Sequence, residues 1–122
     1  MSTLTHPRVI SSKTLVGESV ENPVGENLGT IQDIMIDVSS GRIAYAVLSF
    51  GGFLGFGSKL FALPWSALKV DISRNIFVLE VPRERLEKAP GFDKDAWPDM
   101  ADAVWARGVH SYYGVAPYWE RT

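Results

Sequence analysis

From Leu15 to Val81 the chain alternates apolar and polar residues in short runs, each broken by Gly, Pro, Asn, Asp or Ser. Side chains on a strand point alternately to opposite faces, so this period of two predicts half-buried strands, and the frequent turn residues predict hairpins. The cluster of Asn, Pro and Gly between Glu21 and Asn27 predicts the first turn. Ile34, Ile36 and Val38 then alternate with Asp33, Met35 and Asp37, so the first set is expected to face the core and the second to lean outward. After Ser39, Ser40 and Gly41, the run over residues 42–50 is apolar on both faces, the mark of a strand covered on two sides. Residues 59–63, ended by Pro64, and two short runs about a Ser73-Arg74-Asn75 turn complete a mainly β unit over residues 15–88. Its end, residues 82–88, reads as a helical turn or two opened by proline.

The flanks differ in kind. Residues 1–14 show neither helical nor strand period and read as a flexible leader without the apolar stretch of a signal peptide. Residues 89–122 form a helical, aromatic-rich C-terminal extension, with Trp97, Met100, Ala101, Val104 and Trp105 at helical spacing and Gly108 expected to end or loosen that helix. Tyr112, Tyr113, Tyr118 and Trp119 crowd the last part. At 122 residues the chain has the size of one domain. Its net charge of -2 and pI of about 5.6 provide no positive field for a phosphate backbone, so no direct nucleic-acid partner is expected. No window approaches the roughly 20 apolar residues of a membrane span, and a cytoplasmic location is expected. The absence of cysteine removes disulfides, thiolate nucleophiles and zinc-thiolate sites.

Residues 17–68 carry a family resemblance. The "GENLG" turn between Asn22 and Gly29, the runs 31–37 and 41–47, Gly51-Gly52-Phe53 and the Leu63-Pro64-Trp65 corner occur in an order that resembles the PRC-barrel family. The resemblance implies a small six-stranded barrel, as in the cytoplasmic part of the photosynthetic reaction centre H subunit and the C-terminal domain of the ribosome maturation factor, where the barrel binds other proteins. The chain is expected to be a stand-alone member, without the membrane helix of the first or the preceding domain of the second.

Several patterns invite a chemical reading and fail on detail. In "GGFLGFGSK" Ser58 precedes Lys59, whereas a P-loop needs Gly-Lys followed by Ser or Thr, and the dinucleotide fingerprint breaks at Leu60. Asp33 and Asp37 would stand roughly 13 Å apart along a strand, too far for a glycosidase pair, and read as solvated charges. Asp93, Asp95, Asp99 and Asp102 lack the calcium-loop pattern, because Trp97 occupies the third ligand position. His6 and His110 have no serine or carboxylate fixed beside them by motif, and Ser66 lies outside G-x-S-x-G. No catalytic residue, metal or cofactor is expected. The expected role is a non-catalytic protein-protein interaction or assembly module, self-associating as a homodimer. Its contacts would be Phe53, Leu54, Phe56, Trp65, Trp97, Trp105, Tyr112, Tyr113, Tyr118 and Trp119, since aromatic side chains dominate interface hot spots. Both a tail packed on its own barrel and one packed on a second copy fit this pattern. The alternatives are a ribosome-maturation or RNA-processing factor, from the resemblance alone, and a small-ligand-binding barrel or enzyme.

Overall fold

The computed structural model describes residues 9–51, 59–71 and 73–120. Helix α1 (Ser12–Leu15) precedes strands β1 (Ser19–Glu21), β2 (Asn27–Asp37), β3 (Arg42–Phe50) and β4 (Lys59–Pro64). A 3₁₀ turn, Trp65–Ala67, leads into β5 (Leu68–Asp71) and β6 (Ile76–Leu79), followed by α2 (Arg83–Glu87), α3 (Ala103–Tyr112) and a 3₁₀ turn over Tyr118–Glu120. The strands form one six-stranded sheet in the order β4-β3-β2-β1-β6-β5, curled into a half-barrel. All neighbours are antiparallel except β1 and β6, which run parallel through Val20–Phe77 and Glu21–Val78.

Local chemistry sets the turns. Between β2 and β3 the Asp37 carboxylate accepts from the backbone N–H of Ser39 and Ser40 at 3.0 and 3.3 Å, and Gly41 takes a φ of +76° that side chains disfavour. Between β1 and β2 the buried Asn22 amide closes the turn on Glu26 and reaches the Val81 carbonyl at 3.4 Å, tying the first hairpin to the far end of the barrel. Pro82 precedes α2, as the sequence predicts, and α2 drops Leu86 onto the barrel core, fully buried.

That core is made by the inner faces of the strands, with Leu28, Ile31, Leu48, Phe61 and Leu63 at its centre. A second layer lies outside β3 and β4, where Tyr45, Ala44 and Ala62 pack against Ala106 and Val109 of α3. Strand β3 is therefore covered on both faces, as its composition requires. Strand β2 departs from the expected alternation. Ile34 packs on the barrel core and Met35 turns to the outer layer, both as expected, but Ile36 is 55% and Val38 91% exposed. At Ile36 the cause is the register shift between Met35 and Ile36, which displaces the side chain beyond it to the other face; Val38 lies past the end of β2, in the turn.

The tail helix is also displaced from its expected position. It starts at Ala103, not near Trp97, because the Asp102 carboxylate accepts from the N–H of Val104 and Trp105 and caps it. It runs through Gly108 and ends before Gly114, whose φ is +72°. Gly108 lies on the exposed side of α3 and does not break it.

Candidate functional site

Two concave regions stand out on this frame. The first lies where the tail returns to the β2–β3 turn. Beyond Gly114 the chain doubles back and sets the Tyr118–Glu120 turn beside Asp37. The Tyr118 hydroxyl donates to Asp37 Oδ2 at 2.7 Å and Arg42 donates to the Tyr118 carbonyl. Under this strap Tyr45 is ringed by Trp105, His110 and Tyr118, with centroids 5.4, 5.4 and 6.4 Å away. Trp119 lies 5.5 Å from His110. His110 is buried, with Nδ1 2.8 Å from the Ala106 carbonyl. A carbonyl oxygen can only accept, so Nδ1 carries the proton in the neutral ring and Nε2 is left as a bare lone pair. Neither His110 Nε2 nor the Tyr45 hydroxyl has a hydrogen-bond partner among the described residues. Burial pushes the Tyr45 phenol up, and burial together with the Asp37 carboxylate raises Tyr118 to about 12.

Beside this nest opens a cleft of about 460 Å³, whose walls include Met35, Ile36, Asp37, Tyr45, Met100, Tyr118 and Trp119. Asp37 is held down at about 2, first by the Ser39 hydroxyl and then by Tyr118. A carboxylate depressed in the folded chain contributes stability that is complete above its ordinary pKa and is lost as pH falls through about 2. Ser39→Ala and Tyr118→Phe should each move the Asp37 titration upward, Ser39→Ala further, as followed by carboxyl NMR. Unchanged titration in both variants would contradict this assignment.

The second region is a groove of about 330 Å³ at the barrel mouth, lined by Ile10, Leu15, Ile43, Trp65, Val70, Ile76 and Phe77 among others. Glu18 is its one charged lining residue among those described. The Trp65 ring meets Phe77 edge-on at 5.8 Å. On the rim Ile10 is 45% and Val70 59% exposed. Strand β5, which carries Val70, has no neighbour on its outer edge among the described residues.

The aromatic residues singled out from the sequence are divided by the structure. Phe53, Leu54 and Phe56 lie outside the described residues. Trp65 belongs to the groove. Trp105 and Tyr118 pack on Tyr45. Tyr112 donates its hydroxyl to the Arg85 carbonyl at 2.6 Å, under the Arg85 guanidinium. Tyr113 packs against both hydrophobic layers. The described tail therefore covers its own barrel. Trp97, against Phe92, and Trp119 remain 39% and 40% exposed.

Asp37 and Tyr45 line the cleft, with His110 buried behind Tyr45, yet the sequence pattern alone makes Asp37 a solvated charge and gives Tyr45 no role. A signal for Tyr45 is present, since a strand apolar on both faces needs a cover, and a tyrosine in it needs room for its hydroxyl. Asp99 and Asp102 accept backbone N–H bonds, and no group of three or more metal-ligating side chains occurs among the described residues. No helix of the described residues is long and apolar enough to cross a membrane.

No curated protein matches the chain. The family model of the PRC-barrel domain matches residues 7–86, through β6 and into α2, and leaves α3 and the Tyr118–Glu120 turn beyond the match. With about two thirds of its residues in that match and a six-stranded curled sheet to accompany it, the chain belongs to the PRC-barrel domain family.

Proposed function

We propose that this protein is a non-catalytic interaction and assembly module that pairs with a second copy of itself through the groove at the barrel mouth. The observation that carries the reading is the exposure of Ile10 and Val70 on the rim of a groove walled by Leu15, Ile43, Trp65 and Ile76. Apolar side chains gathered at one place on a surface are stabilised by removal from water, and such patches mark contacts between proteins. A patch holding both protruding side chains and a depression can meet its own copy across a two-fold axis. Pairing through side chains is favoured over strand addition, because β5 is four residues long and carries Lys69, two features that blunt an edge. A cytoplasmic location belongs to the proposal as an expectation from the sequence, which cell fractionation would check.

Val70→Asp places a charge at the centre of the proposed contact while leaving a side chain already 59% exposed in the single chain. We expect folded protein whose self-association is weakened by about a hundredfold, seen as a fall in mass by sedimentation. A wild-type chain that stays monomeric at high concentration would end the self-pairing proposal.

A further inference from the structure

Among the described residues, Asp37 is the one charged side chain on the wall of the cleft between the β2–β3 turn and the Tyr118–Glu120 turn. Three aromatic rings share that wall: Tyr45, Tyr118 and Trp119. Tyr118 stands at 89° to Tyr45 and 86° to Trp119, with centroids 6.4 and 5.2 Å apart. The rings therefore form corners and do not stack as a closed pile. The face of each ring carries partial negative charge, so rings and carboxylate together present one sign to whatever enters.

The nearby cations are engaged elsewhere. Arg107 lies over Trp119 at 5.8 Å and bonds Glu120 at 2.8 Å, and Arg42 is turned to the Tyr118 carbonyl. Neither lines the cleft. Met35 and Met100 add soft, polarizable walls suited to methyl groups, and Tyr45, at the back of the wall, keeps a buried hydroxyl without a partner among the described residues. An anion would be repelled here. A neutral apolar ligand would displace water from Asp37 with nothing to replace it.

We propose that this cleft binds an organic ammonium cation, quaternary or alkylated, with the rings of Tyr118 and Trp119 against its head, the buried Tyr45 as the floor behind Tyr118, and Asp37 as counter-charge. A volume of about 460 Å³ accommodates a small molecule of this class. The same head group occurs in free molecules such as choline and on trimethylated lysine side chains. The site is separate from the groove at the barrel mouth, so its success or failure leaves the self-pairing proposal where it stands.

The test is a titration of isotope-labelled, full-length protein with choline, with the neutral carbon isostere of choline, and with a short peptide carrying trimethyl-lysine. Choline is expected to shift the resonances of Tyr118 and Trp119 with a Kd of about 1 mM or tighter, and the isostere to bind at least about tenfold more weakly. Asp37→Asn should weaken choline binding about tenfold, and Trp119→Leu by a similar factor, both with native spectra in the absence of ligand. Tighter binding of the peptide than of choline assigns the cation to a protein, and the reverse order assigns it to a free molecule; both support the site. Equal binding of choline and its isostere overturns the proposal. So does the lack of any shift with choline and the peptide alike.

Discussion

Ending the chain at Lys88 is expected to leave a barrel that no longer folds stably, although the truncated form retains every strand of the sheet. The reason lies in the outer face of β3 and β4. Tyr45, Ala44 and Ala62 are almost wholly buried there beneath Ala106 and Val109 of α3. Val47, fully buried and two residues on from Tyr45, shares that face. Removing the cover would return these side chains to water at a cost on the order of 5 kcal/mol, a large part of the total stability of a domain of this size. It would also strip β4 of its outer-edge bonds, Leu60 N–H to the Phe92 carbonyl at 2.9 Å and the reverse at 2.8 Å. Thermal melting by circular dichroism, together with binding of a hydrophobic dye, measures the effect. A truncated chain that melts within a few degrees of the full one would show that the tail is dispensable.

The second large effect belongs to a single atom. Gly29 in β2 has a φ of +129°, and a Cβ placed on it would lie 2.1 Å from the carbonyl oxygen of Ser49 in β3. That oxygen is backbone in the neighbouring paired strand, so no side-chain rotation relieves the overlap and the two strands must part. Gly29→Ala is expected to destabilise the fold by about 4 kcal/mol or more, combining steric overlap with a backbone angle that L residues avoid. Gly17 separates the two causes. Its φ is +97°, and a Cβ added there would meet nothing within 4 Å, so Gly17→Ala should cost only about 1–2 kcal/mol. Denaturant midpoints of the two variants give the comparison, and similar losses in both would refute the overlap argument.

Much of the barrel was legible in the sequence because its signals are local. Turn residues such as Gly41 and Asn75 act within a few positions, and the two-sided apolar run of β3 declares its burial without reference to any partner. The register shifts in β2 were not legible. One inserted residue changes no composition, yet it carries Ile36 to the surface. The cleft was hidden for a different reason. Tyr118 and Asp37 are 81 residues apart in the chain, and nothing near either one announces the other. The start of α3 was readable in principle, since Asp102 followed by a run of helix-compatible residues is an N-cap signal; the spacing of Trp97 with Met100 and Ala101 obscured it.

The parallel pairing of β1 with β6 bears on how the molecule assembles. Hairpins such as β2–β3 close over a few residues, whereas Val20 meets Phe77 only after nearly the whole barrel has been threaded between them. That joint is two residue pairs long, and the entropy of drawing distant chain together sets it late in the folding sequence. The curl of the sheet is thus completed by its shortest seam, a clasp fastened once the neighbouring strands have already found one another.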